Sequence, residues 1–382
     1  LNSVLVLACA QALTATGLTV LILLGGIVAA GLAPRESLAT VPISVAVVAV
    51  ALATAPAALL MRRVGRKAGF ILGASIGAGA ALFTALAIAR GSFVMLCMGA
   101  ALFGASTAFT QQYRFAAAES VAPAQVSRAV SMILLGSLAA ALVGPPLALL
   151  GRHWIAAAEY AGSFVAVAGL YLLGIGVLSQ LHLPVPVASA GEGRARSATE
   201  LLSEPVFRVA VLAGVVAFAV MSFVMTAAPL SMHVHHNHSV EATTWVIQSH
   251  VVAMFLPSLF TGRLVARFGE RAMMQAGAVL LAGCVGVSVT GQQVVHYWLA
   301  LVLLGLGWNL LFVSGTTLLA RGYGGVDRHR AQAINEFVVF GVQSCVSLLA
   351  GVAVSRLGWQ VLNLVTLPLL ALMVLASWRL RR

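Results

Sequence analysis

The sequence predicts an all-α polytopic membrane protein of twelve transmembrane helices in two six-helix halves. Three observations carry this prediction. The chain of 382 residues is 61% hydrophobic and only 8% charged, whereas a soluble domain carries about 25% charged residues. Apolar runs of about 20 residues, enough to cross a hydrocarbon core of roughly 30 Å as a helix, recur along its length. The polar breaks between the first six runs are echoed between the last six.

The elements follow in order. The first run, 4–32, has no charged leader and is too long for a signal-peptide core, so it is expected to stay as the first helix. "APRES" closes it and span 2 follows at 38–60. "MRRVGRK" leads to span 3 at 69–89, and "RGS" to span 4 at 92–112. Span 5, at 129–150, opens with "SRAVSM", and "GRHW" precedes span 6 at 154–178. The only long hydrophilic stretch, 182–205, then divides the chain into an N-terminal half at 1–180, a cytoplasmic linker at 181–206 and a C-terminal half at 207–382. Spans 7 to 12 are expected at 207–231, 243–262, 272–290, 295–319, 332–354 and 359–378, with "TGQQ" and "RLGW" among their breaks.

The net charge of +12 does not point to nucleic acid, because the arginines sit in short clusters between apolar runs. With an even number of spans, 18 of the 22 Lys and Arg fall on the side of the termini and 4 on the other. Basic loops face the cytoplasm, so both termini are expected there. Cys9, Cys97, Cys284 and Cys345 all lie within apolar runs at irregular spacing, which excludes a zinc pattern or a disulfide framework. No G-x-x-x-x-G-K-[ST] loop and no Ser/His/Asp or H-E-x-x-H set occurs, so neither direct ATP drive nor enzymatic activity is expected.

The halves repeat. "RRVGRK" (62–67) after span 2 matches "ARFGER" (266–271) after span 8 at an offset of 204, and "SRAVSM" matches "HRAQAI" (329–334) at an offset of 202. Duplicated halves are the build of many secondary transporters. The basic, glycine-centred loop and the six-plus-six layout resemble the major facilitator superfamily over the whole chain. That superfamily's loop reads G-x-x-x-D-R-x-G-R-R/K; Arg62 and Ala266 stand at its acidic position, so both copies lack the acidic member of the usual ionic latch. The resemblance implies the major facilitator fold, alternating access between halves, and gating-loop roles for Arg63, Gly65, Arg66, Arg267 and Gly269. "VGPP" (143–146) is similar to the glycine–proline signature of proton antiporters, and also reads as a plain kink.

The stretch "MSFVMTAAPLSMHVHHNH" (221–238) carries the strongest chemical signal. Met221 and Met225 are one turn apart on span 7, and "HVVAM" sets His250 and Met254 one turn apart on span 8. Counting ~1.5 Å per residue puts Met221 roughly 9 Å and His250 about 10 Å below the outer surface. Thioethers and a neutral imidazole suit Cu(I) and disfavour harder ions. The bland reading is methionine as core filler; an intramembrane histidine is a functional candidate by default. M-x-x-x-M paired with H-x-x-x-M resembles the CcoA-like copper importers (CalT family) of bacterial inner membranes. That resemblance implies that Met221, Met225, His250 and Met254 handle copper, carried as substrate with no permanent cofactor, for cytochrome oxidase assembly. A cytoplasmic copper chaperone is the expected recipient, and the lipid bilayer is the other partner. Some relatives of that group carry riboflavin.

Met232, His233, His235, His236 and His238 are expected to form an outer metal-collecting loop, the alternative being a polar loop with incidental histidines. Glu159 is expected just inside span 6, as a coupling site or paired with Arg152. Asn309 at mid-depth of span 10 is expected to line the cavity, and Asn335 and Glu336 to cap and gate span 11. Cys284 and Cys345 are candidate exit thiols. Three functions stay open: a secondary-active copper importer, a transporter of an organic solute (riboflavin-like or drug/proton antiport), and a non-transporting metal receptor or assembly factor.

Overall fold

A computed structural model of the chain describes residues 3–35, 38, 41–183, 196–323 and 327–380; the side chains of residues 26, 30, 233, 234, 240, 241, 244 and 329 fall outside the description. The described residues are helical almost throughout, because in hydrocarbon each backbone N–H and C=O must find its partner within its own segment.

The chain divides into two compact units, Leu1–Ser120 with Met132–Ser189, and Val121–Ser131 with Ala190–Arg382. The first contains α1 (Ser3–Leu32), α2 (Val41–Val64), α3 (Arg66–Ala89), α4 (Phe93–Thr110), the short α5 (Tyr113–Glu119), most of α6 (Val126–Leu150) and α7 (Ala161–Ser179). The opening residues of α6 group with the second unit, where the Ser127 hydroxyl donates to the Gly262 carbonyl at 2.7 Å. The second unit contains α8 (Ala198–Ser203), α9 (Pro205–Pro229), a π-helical turn (Leu230–His235), α10 (Val240–Phe255), α11 (Ser258–Thr290), α12 (Val294–Gly322), α13 (Arg328–Leu364) and α14 (Leu367–Ser377).

Among the described residues ten helical stretches are long and apolar enough to cross a membrane. Two of them are broken by a glycine that is not helical: Gly269 (φ 82°, ψ 161°) within α11 and Gly358 (φ 73°, ψ 171°) within α13. The count by length is therefore ten where the apolar runs suggest twelve, because these turns are too tight to leave a gap in the helical pattern. Gly65, between α2 and α3, has almost the same conformation as Gly269 (φ 86°, ψ 159°), a region that only glycine occupies without strain.

Most of the expected linker, 184–195, lies outside the described residues. Its described end is strapped to the second unit. The Arg196 backbone N–H donates to Asp327 Oδ1 at 2.8 Å and its Nε to Oδ2 at 2.6 Å, while its Nη1 pairs with Glu204 Oε1. Tyr323 Oη donates to Glu204 Oε2 at 2.7 Å. Burial pushes the Asp327 carboxyl up, but the Arg196 hydrogen bonds and charge outweigh it and hold the carboxyl below its usual range.

Candidate functional site

The second unit is organised around α12, which packs along α9, α10 and α11. Its "GLGWNLLF" stretch explains the closeness. A Cβ on Gly305 would fall 2.8 Å from the His250 carbonyl and 2.9 Å from the Met254 nitrogen, so only glycine lets α10 approach this near. Three residues on, Trp308 starts an aromatic cluster. Its ring stacks on Phe312 at 4.8 Å and meets Phe218 of α9 edge-on at 5.4 Å and Phe255 of α10 at 5.7 Å. Phe218 also touches Phe312 and Phe340 of α13, both at 5.3 Å. Four helices thus contribute to one buried aromatic centre. Trp308 Nε1 lies inside it without a hydrogen-bond partner among the described residues; on α13, one turn beyond Phe340, Gln343 Oε1 is also buried and unpartnered. Buried polar atoms without a partner are uncommon in a folded chain.

The residues expected to handle copper distribute around this centre. Met221 and Met225 stand one and two turns beyond Phe218 on the same face of α9, the face directed at α12 and α13. His250 is fully buried on α10, and its Nδ1 lies 2.8 Å from the Leu301 carbonyl of α12. A carbonyl only accepts, so Nδ1 carries the proton and donates, and the buried Nε2 has no partner. Met254, one turn further, is also buried. Among the described residues α9 and α10 do not pack along each other, and α12 meets both. Spacing along one helix tells which residues share a face, not which helix that face meets.

Asn309 is fully buried on α12 and is held by hydrogen bonds to the neighbouring helices. Its Nδ2 donates to the Met254 carbonyl and to Ser258 Oγ, both at 2.7 Å, and its Oδ1 accepts from Thr261 at 2.6 Å. Pro257 interrupts the backbone ladder between α10 and α11, and Asn309 repairs the break. Glu159 is not inside a span. It lies in the exposed turn before α7 and pairs with Arg152 at 2.5 Å.

Two of the four loop histidines have partners. His236 Nδ1 lies 2.8 Å from the Ser231 carbonyl and 3.1 Å from Tyr297 Oη, and His238 Nε2 lies 2.7 Å from the Gln292 carbonyl. His235 is exposed. The His233 side chain lies outside the described residues. Met232 is fully buried and does not belong to a surface patch, because the π-helical turn extends α9 through it. Among the described residues no group of three or more His, Cys, Asp or Glu could hold a metal. Cys284 is buried and Cys345 exposed. Glu336 is fully buried, and accepts from Asn335 Nδ2 at 2.8 Å.

Of the gating-loop residues, Arg63 and Arg267 are exposed. Arg66 is buried and makes an ion pair with Glu119 at 2.6 Å, with Gln112 Oε1 at 3.2 Å. In the second unit Glu270 pairs with Arg321 at 2.5 Å. Sequence reading missed both pairs, and it also missed Trp308, Phe312 and Phe340. Arg66 and Glu270 each follow the loop glycine, which was the available signal. The rings had none, since aromatic residues in an apolar span read as core.

A family model described as the Major Facilitator Superfamily matches residues 210–382. The riboflavin transporter RfnT of Brucella anthropi is 39% identical over 377 residues, covering 98% of this chain and 94% of that protein. The uncharacterized MFS-type transporter YdeG of Bacillus subtilis is 30% identical over 325 residues, covering 80% of this chain and 75% of that protein. The crystal structure of the human organic anion transporter MFSD10 superposes with a TM-score of 0.81 at 15% identity, covering 98% and 99% of the two chains. With these relatives, the repeated glycine loops and the all-helical fold, the chain belongs to the Major Facilitator Superfamily.

Proposed function

We propose that this protein is a secondary transporter of riboflavin or a solute of that kind, a planar heteroaromatic with hydrogen-bonding edges. The observation that carries the proposal is the 39% identity, along nearly the whole chain, to a riboflavin transporter. The aromatic centre supports it: rings from four helices, with an indole N–H and an amide oxygen left unmet, match the chemistry of such a solute. The rings are closed on one another here, so loading the site requires one of them to leave its neighbours. The arginine-rich loops, gathered on the side of the termini for any even number of crossings, support a bacterial inner-membrane location with both termini in the cytoplasm. The protein would act by alternating access, with no covalent chemistry.

The test is uptake of riboflavin by a riboflavin-requiring bacterium expressing the protein. Growth at low riboflavin is the expected result. Trp308→Ala should lower uptake by about tenfold, the loss of one aromatic contact of about 1.4 kcal/mol, and Trp308→Phe should keep most of it. No uptake above an empty-vector control would reject the proposal.

A second reading, copper import through Met221, Met225, His250 and Met254, is favoured by one observation. The Nδ1 tie of His250 to Leu301 leaves Nε2 as a buried, unshared lone pair, which is how a protein prepares an imidazole ligand. Radioactive copper uptake, wild type against His250→Ala, decides it. Equal accumulation in the two would remove the metal.

A further inference from the structure

One end of the second unit carries a cleft that neither transport reading uses. It is enclosed by the start of α9, the Gly269 turn of α11, the end of α12 and the end of α14, and it holds about 1020 Å³. Arg267, Arg271 and Arg379 line it together with Phe268 and Trp378. The single acid on its wall, Glu270, is already held by Arg321. Among the described residues none of the three arginines is paired with a carboxylate. The Arg271 guanidinium sits 4.7 Å from the Trp378 ring centre and donates weakly to the Leu380 carbonyl at 3.4 Å. Phe268 and Trp378 are 54% and 64% exposed, as aromatic residues are where a helix leaves the hydrocarbon.

A second, narrower cavity of about 180 Å³ adjoins the cleft and shares Pro205 and Arg379 with it. Apart from Arg208 and Arg379 its walls are apolar: Val209 and Leu212 from α9, Leu372 and Ala376 from α14. Each helix contributes residues about one turn apart, so the groove runs along the helices, away from the basic cleft and into the membrane-spanning part.

We propose that the two cavities together bind an anionic phospholipid, its phosphate among Arg267, Arg271 and Arg379 and an acyl chain in the groove between α9 and α14. Three guanidinium groups facing one space repel each other until an anion joins them, and the planar guanidinium suits a phosphate. Charge complementarity alone would also admit free phosphate. The apolar groove decides for a lipid, because a soluble anion has no use for it. Basic pockets between membrane helices bind lipid headgroups on the same principle.

The experiment is native mass spectrometry of the purified full-length protein in non-ionic detergent, with dioleoyl phosphatidylglycerol or dioleoyl phosphatidylcholine added. Retention of phosphatidylglycerol is expected to exceed that of phosphatidylcholine by about tenfold. Combining Arg267→Gln, Arg271→Gln and Arg379→Gln should bring the two lipids level. Combining Arg35→Gln, Arg90→Gln and Arg356→Gln, which removes as much charge from other loops, should leave the preference in place. Leu212→Trp fills the groove with the cleft intact and should also lower phosphatidylglycerol retention; it tests the proposal even if the triple variant does not fold. Equal retention of the two lipids by the wild type overturns the proposal. So does displacement of the lipid by an equal concentration of inorganic phosphate, or a loss in the control triple as large as in the cleft triple.

Discussion

The loops that follow the second helix of each half are built alike and charged in reverse. Gly65 and Gly269 share one backbone conformation, at φ 86° and 82° with ψ 159° and 161°. The next residue is Arg66 in the first unit and Glu270 in the second. Their partners, Glu119 and Arg321, stand 202 positions apart (321 − 119), the offset already read between the openings of spans 5 and 11. The ion pairs measure 2.6 and 2.5 Å. What the duplicated loop preserves is complementarity, and the sign is free to differ. Surroundings differ as well. Arg66 is 8% and Glu119 17% exposed, and Gln112 supports the pair; Arg321 is 30% exposed and its Nε donates to the Pro123 carbonyl at 3.0 Å.

Thermal unfolding in detergent tests how far the two loops are equivalent. The largest effect is expected from Glu119→Arg, which sets a second guanidinium against buried Arg66 and should cost upward of about 3 kcal/mol. Adding Arg66→Glu recreates the polarity of the second unit and should recover more than half of that loss; no recovery would show that sign is not interchangeable. Next come Gly65→Ala and Gly269→Ala. No atom outside the local chain lies within 4 Å of the added Cβ in either, so only backbone strain acts. Each should cost about 2 kcal/mol, and clearly unequal losses would argue against the two loops being equivalent. The smallest effect is expected from Glu270→Gln, about 1 kcal/mol, because the Arg321 left behind is 30% exposed and keeps its hydrogen bond to the Pro123 carbonyl. A loss as large as that of Glu119→Arg would mean that burial does not separate the two loops.

The residues explain what was legible beforehand. The loop glycines and the spans could be read because a bilayer imposes a one-dimensional rule: enough apolar residues in a row, then a break. The latch could not, because matching residue by residue to a pattern with an acid before its first arginine finds Arg62 and Ala266 and stops. The complementary charges sit one residue past each glycine, with partners about fifty positions on. Asn309 reads from the sequence as a polar group within an apolar run, but its hydrogen bonds depend on Pro257 leaving backbone groups to repair on a helix distant in sequence. The sequence turns polar at His233, which marks Met232 as loop, while the helix continues through both as a π-turn.

The sequence by itself determined the membrane class, the duplicated halves, the positions of the glycine turns and the candidacy of His250, since each follows from local composition or from spacing along one helix. Only the tertiary structure decided that α12 meets both α9 and α10, that Phe218, Trp308, Phe312 and Phe340 share one centre, and that an arginine cleft opens beside an apolar groove. The physical reason is that helical periodicity sets which side chains share a face, whereas the helix that face meets is chosen by packing, here by a glycine at 305 that admits α10 where any larger residue would hold it off.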